Sequence, residues 1–402
     1  MNGFALAPVD RRAWAGAAIG TMCSALPIFM TGALGVQIRD EVGLSATQIG
    51  VSMGVSFGVA ALMSAPMGRV AQRIGAPLAF RSGLAATAFS MIAISAVVDR
   101  FWTLCALLAV AGMANALNQP AANLLLTTRI DPQRMGLALA TKQSGMPAAA
   151  LVGGVAVPAV ALTLGWQWAY LFGGLFALAV AAFVIPSDGP ATPLRPSPAD
   201  RSKPAAKPDL GTRLLALYAI VGLLGSTNAG AMVGFITSGA EASGLSPGVS
   251  GLVLSLGSMA GVMSRMFQGF QVDRSGVLPI QRLIWLYGLG ALGVLLLAVD
   301  VPATYLIAPV PAFACGWAWP GLFNLSVIRN NPSAPAAATG VSQVGVFTGA
   351  ALGPTLGGVI VDAGGYRLLW IVGSITLMLG AALAAYLRTQ IRANTQRVAA
   401  AN

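Results

Sequence analysis

The sequence has no histidine among its 402 residues, and only 9% of them are charged. Without histidine, the commonest proton shuttle and metal ligand is gone. Its three cysteines, Cys23, Cys105 and Cys315, stand singly in separate apolar runs. They supply neither metal-ligand spacing nor a disulfide framework. No Walker-type phosphate loop is present, so ATP-driven work has no support. Acids number 12 against 23 bases, and no paired carboxylates or activated nucleophile suggest an enzyme. No cofactor is implied.

What remains is apolar. Hydrophobic residues make up 56% of the chain, and the mean hydropathy is +0.77, far from a soluble average. A net charge of +11 would point to nucleic acid in a soluble protein, but here the arginines sit singly at the ends of apolar runs. Runs of about 20 apolar residues mark membrane helices. The first six fall near 13–38, 46–68, 78–98, 101–128, 135–163 and 166–186. The second six fall near 212–238, 247–271, 279–299, 302–329, 335–362 and 366–388. Arg11-Arg12 resembles the start of a secretion signal, but the run behind it reaches Val36 and is too long for one. Residues 187–211 carry six prolines and four basic residues and form a polar linker. The expected fold is therefore an all-α membrane protein of twelve spans, in bundles 1–186 and 212–402.

The two halves repeat. Gly68-Arg-Val-Ala-Gln-Arg73-Ile-Gly75 returns 201 positions later as Gly269-Phe-Gln-Val-Asp273-Arg274-Ser-Gly276. Gly43-Leu-Ser45 and Gly50 return as Gly244-Leu-Ser246 and Gly251 at the same offset. Pro120, Arg129, Gln143, Gly145, Gly153 and Gly165 return 200 positions on, as Pro320, Arg329, Gln343, Gly345, Gly353 and Gly365. A near-constant offset over half the chain indicates a tandem duplication. The pattern Gly-x3-Asp-Arg-x-Gly resembles the loop between the second and third helices of each half of major facilitator superfamily transporters. Gln72 stands where that pattern has Asp. The resemblance implies two pseudo-symmetric six-helix bundles and a conformational latch at Gly68, Arg73, Gly75, Gly269, Asp273, Arg274 and Gly276.

Basic residues set the orientation. Of the 23, only Arg39, Arg100 and Arg367 fall at loops on the side opposite the termini. The positive-inside rule then places both termini in the cytoplasm, and the expected location is the cell inner membrane. Two further cations, Lys142 and Arg265, lie inside the fifth and eighth spans. A charge there costs several kcal/mol unless it faces a cavity or partner; snorkelling to the interface is the competing reading. No acid lies deep in any span, so an anionic substrate is the simplest counter-ion. In the superfamily the fifth and eighth helices adjoin across the central cavity. Arg265 is placed like the cavity arginine of oxalate/formate antiporters and nitrate/nitrite carriers, although its first-half equivalent is Ser64. Lys142-Gln-Ser-Gly145-Met-Pro147 is similar to the fifth helix of the cyanate-permease-like branch.

Neutral groups complete a candidate pocket. Asn115, Asn118, Gln119 and Asn123 crowd the fourth span; Trp317, Trp319, Phe323 and Asn324 occupy the tenth. Gln143, Asn228 and Gln343 add amides in the fifth, seventh and eleventh. The proposed substrate-binding set is Lys142, Arg265, Asn118, Gln119, Gln143, Asn228, Trp319, Asn324 and Gln343. Interhelical bonding for each amide, and packing for each tryptophan, remain open alternatives. Gly349 to Gly358 resembles the antiporter motif of drug exporters, but it lies in the eleventh span instead of the fifth. The sequence thus reads as a secondary transporter of a small organic anion, with a carboxylate favoured. Drug efflux and a transporter-like sensor are the alternatives. Protons or a counter-anion are the expected coupling species, anion exchange or a substrate-borne proton being preferred over an outer-end acid. The lipid bilayer is the other partner, nucleic acid is not one, and the chain is expected to be a monomer.

Overall fold

The computed structural model describes residues 8–130, 135–186, 210–275, 278–331 and 335–401. Among the described residues every regular element is helical. Of the expected linker only Leu210 and Gly211 are described, and Gly276 lies outside the described residues.

Six helices in the first half are long and apolar enough to cross a membrane: Arg11–Ala33, Ala46–Ile74, Ala76–Val97, Phe101–Arg129, Leu137–Leu164 and Trp166–Val184. Thr212–Ala242, Pro247–Gln271 and Pro279–Leu297 follow in the second. The stretch Ala338–Ala393 has 56 residues, about 84 Å at 1.5 Å per residue and far more than one bilayer needs. It turns at Gly365, whose φ of 76° and ψ of −177° leave the helical region, so it makes two spans.

The tenth span departs from the continuous helix expected at 302–329. It is built from Pro302–Ile307, Pro309–Gly316 and Pro320–Arg329. Each piece opens on a proline, which starts a helix well because its missing N–H is not needed there. With this composite span the count is twelve, six in each half.

Buried tyrosines inside each half meet their polar needs locally. Buried phenols find partners: Tyr170 with the Thr31 hydroxyl at 2.8 Å, Tyr218 with the Ser326 hydroxyl at 2.7 Å, and Tyr287 donating to the Val221 carbonyl at 3.0 Å. Such bonds let aromatic residues fill an interior without stranding a hydroxyl.

Between halves, contact is concentrated away from the termini. A Cβ on Gly50 would overlap the Pro354 carbonyl, and one on Gly154 would overlap the Gly251 carbonyl. Only glycine permits backbones so close. By the repeat offsets these are one contact made twice, once between the second and eleventh spans and once between the fifth and eighth. Further toward the termini the halves part: Gly58 and Gly68 of the second span and Gly269 of the eighth meet nothing within 4 Å. The molecule is closed at the end remote from its termini and open at the end that carries them.

Candidate functional site

Lys142 sits beside a break in the fifth span. Helix Met135–Gln143 stops, Ser144 turns, and Gly145–Ala156 resumes. Proline 147 has no N–H to give the carbonyl four residues back. Ser144 accepts from Ala148 at 3.1 Å, and the skipped carbonyl is that of Gln143. The Lys142 side chain is 1% exposed. Its ammonium donates to Gln119 Oε1 at 2.7 Å and Asn123 Oδ1 at 2.9 Å. Gln119 Nε2 in turn donates to Asn115 Oδ1 at 3.3 Å, which also accepts from Ser24 Oγ at 3.1 Å. Hydrogen bonds to a charged group contribute about 1.5–3 kcal/mol each. These acceptors are neutral, so they hold the ammonium without cancelling its charge.

Arg265 approaches the same break from the other half. Its guanidinium donates to the freed Gln143 carbonyl at 3.1 Å and to the Trp317 carbonyl at 2.7 Å. The Trp317 carbonyl belongs to the unwound stretch between helices Pro309–Gly316 and Pro320–Arg329. The guanidinium carbon also lies 5.1 Å from the centre of the Trp317 ring, a cation–π distance. Phe29 of the first span meets that ring edge-on at 5.7 Å. Arg265 Nε is buried and has no hydrogen-bond partner among the described residues. One arginine thus bridges two helix breaks, one from each half.

The cations predicted from sequence thus meet at one helix break, Arg265 on the carbonyl of the residue after Lys142, while the Lys142 ammonium turns to the fourth span. Neither forms an ion pair with a described residue. On the surface, Arg100 pairs with Asp99 at 2.8 Å. There the Arg100 guanidinium lowers the carboxyl's pKa.

The other predicted residues divide. Gln119 is in the site, and Gln143 enters it through its carbonyl while its side chain is exposed. Asn118 does not: its amide donates to Thr87 at 3.3 Å and packs on Gly83, both of the third span. Asn228 is likewise internal to the second half, where its amide meets Met232 Sδ and the Gly373 backbone. Trp319 is 1% exposed and packs edge-on against Tyr287 and Phe323. The contacts of these three are with residues of their own half. Gln343 Nε2 donates to Asn324 Oδ1 at 2.8 Å. That pair has the same separation of 19 residues as Lys142–Asn123 and lies 201 positions on. By the offset of 200 that holds in these spans, however, Gln343 corresponds to Gln143, and the counterpart of Lys142 is the uncharged Ser342.

The ranking by sequence passed over Asn123, Asn115 and Ser24. The signal was present: Asn115, Gln119, Asn123 and Thr127 recur every fourth residue, which places them on one helix face. Asn118 is off that face.

The turn motif behaves as a turn. Gly75 takes a φ of 86° between the second and third spans, which favours glycine. The expected latch at Asp273, Arg274 and Gly276 falls on side chains and a residue outside those described. A charged contact between halves appears instead at the closed end. Asp362, at the end of the eleventh span, accepts from Ala46 N at 3.2 Å and Thr47 N at 2.7 Å. These are the first amides of the second span. Ser45 Oγ accepts the next free one, from Gln48, at 3.1 Å. A helix start in one half is thus completed by a carboxylate from the other.

Comparison with known proteins agrees with this architecture. No curated protein matches the chain. Among solved structures, a bacterial homolog of the human lysosomal transporter Spinster, inward-facing and occupied, superposes with a TM-score of 0.74 at 15% identity. The match covers 97% of this chain and 99% of that one. The same protein, inward-facing and unoccupied, gives 0.72 at 14% identity over the same shares. The profile of the Major Facilitator Superfamily matches residues 17–328. With a duplicated twelve-span fold and that match over most of its length, the chain belongs to the Major Facilitator Superfamily of membrane transporters.

Proposed function

We propose that this transporter carries a small organic anion, a carboxylate in particular, by alternating access between its two halves. One observation carries the reading: two intramembrane cations from opposite halves adjoin at the middle of the molecule, held by amide and carbonyl oxygens and by no carboxylate. Neutral acceptors fix such groups in place and leave their positive potential available to a solute. The anion would complete the charge balance in transit. The distribution of basic residues supports cytoplasmic termini and an inner-membrane location, so the open end would face the cytoplasm. The functional units would be bundles 1–186 and 212–402 of a monomer, with coupling by exchange or by a proton carried on the solute. Drug efflux is less well supported, since cationic drugs would meet two like charges.

The test is uptake of labelled carboxylates into proteoliposomes, beside binding to purified protein. Lys142→Gln and Arg265→Gln are each expected to weaken carboxylate binding by ~2–4 kcal/mol, the scale for removing one partner of a buried charge pair. Unchanged affinity in both variants, or transport of cations only, overturns the proposal.

A further inference from the structure

Lys142 is 1% exposed in this conformation, its ammonium covered by its two amide partners. Its two neutral partners differ in what they do next. Lysine has donors only, so both carboxamides must turn their oxygens to it and their NH2 groups away. Gln119 spends its NH2 on Asn115. Asn123, in contrast, is exposed and lines a cavity of about 250 Å3. The remaining lining residues are Gly68, Ala71, Gln72, Pro120, Leu124 and Thr127. The Asn123 NH2 is the polar end left for that cavity, and the ammonium on its oxygen strengthens it as a donor.

The other walls fit the same ligand. Gln72 stands in the first copy of the turn motif where the second copy has Asp273. An acid there would repel an anion; an amide can donate to one. Thr127 supplies a hydroxyl, and Gly68, Ala71, Pro120 and Leu124 supply apolar walls. Lining from the second and fourth spans alone makes this a pocket of one half, short of the meeting point of Lys142 and Arg265.

The geometry points to a second anion subsite in this cavity, at which Lys142 acts through Asn123 on a carboxylate- or sulfonate-sized group before it reaches the central cations. This rests on the anion-transport reading for its place on the route, but binding there can be measured without transport.

The probe is a pair of thiol reagents of similar size and opposite charge, 2-sulfonatoethyl and 2-(trimethylammonio)ethyl methanethiosulfonate. Purified protein with Cys23, Cys105 and Cys315 replaced by Ala and with Thr127→Cys is reacted with each. Rates are normalised to a free thiol in solution. The anionic reagent is expected to react at least tenfold faster than the cationic one. Lys142→Gln and Asn123→Leu should each bring the ratio near unity, Gln72→Glu should lower it, and Asn123→Gln should retain it. Arg69 and Arg73, on the same span as Gln72, are unchanged in all of these, so a ratio due to them would persist in Lys142→Gln. A parent ratio near unity, or a high ratio that survives both Lys142→Gln and Asn123→Leu, overturns the subsite. If the ratio behaves as expected and no carboxylate is transported, the subsite stands and the transport proposal falls. If carboxylates are transported and the ratio is flat, the reverse holds.

Discussion

At the scale of the residue, the fourth span separates two roles that composition cannot. Asn118 and Gln119 are neighbours, yet one faces the third span and the other the buried ammonium. Replacing Asn118 by Ala removes an interhelical hydrogen bond and opens a small void. It should lower stability by about 1–2 kcal/mol, read as an earlier thermal unfolding midpoint, with carboxylate affinity retained. Gln119→Leu should do the opposite: it strips Lys142 of one acceptor and should weaken carboxylate binding severalfold through a displaced ammonium. Equal loss of affinity in both variants would contradict the division. The amides were legible in the sequence as a cluster. Their directions follow from a turn of about 100° per residue, and only a fixed helix position relative to its neighbours decides which direction is the cavity.

At the scale of the element, the break in the fifth span determines where Arg265 can go. Pro147 withholds the donor that would satisfy the Gln143 carbonyl, and the guanidinium of the other half takes it. Pro147→Ala restores that N–H, so the helix can close on its own carbonyl and compete with Arg265. The bond between halves is then expected to weaken by about 1 kcal/mol, roughly a fivefold shift toward the arrangement in which the halves part at this level. Distances between spin labels on the fifth and eighth spans, compared between wild type and variant, measure it. An unchanged distribution would show that Arg265 is held by Trp317 alone. Pro147 is plain in the sequence; what lies opposite the freed carbonyl is not, because Gln143 and Arg265 are 122 residues apart.

At the scale of the whole molecule, the two seams at the closed end are related by the duplication but not equivalent. The Gly50–Pro354 and Gly251–Gly154 approaches match by repeat offset. Asp362, however, has Leu162 as its counterpart 200 positions earlier, and Leu162 lies where a Cβ added to Gly248 would meet it at 3.6 Å. One seam is closed by a carboxylate on a helix start, the other by apolar contact and a neutral bond from Ser255 Oγ to the Leu151 carbonyl at 2.9 Å. Asp362→Asn should weaken the first by about 0.5–1 kcal/mol, the exposed range for a charge at a helix N-terminus. The population open at that end should rise two- to fivefold, read by the reactivity of Met53→Cys, a buried position facing Gly234 of the other half, toward a thiol reagent applied from that side. No change would mean that glycine packing alone holds the end shut. High salt should reduce the wild-type advantage, since exposed charges are screened.

The duplication, the twelve spans, the two intramembrane cations and the absence of deep acids were set by the sequence itself. They depend on composition, periodicity and the cost of polar groups in hydrocarbon, all of which are local properties of the chain. The turn motif was equally visible as a turn. The tertiary structure alone decided that Lys142 lies in an amide cradle, that Arg265 spans two broken helices, and that a charged clasp lies at the end opposite the turn motif. It also moved Asn118, Asn228 and Trp319 into the interiors of their halves. Each of these depends on which helix faces meet, across separations from 19 residues for Lys142–Asn123 to 316 for Asp362–Ala46, and a single helix pattern is compatible with many such meetings.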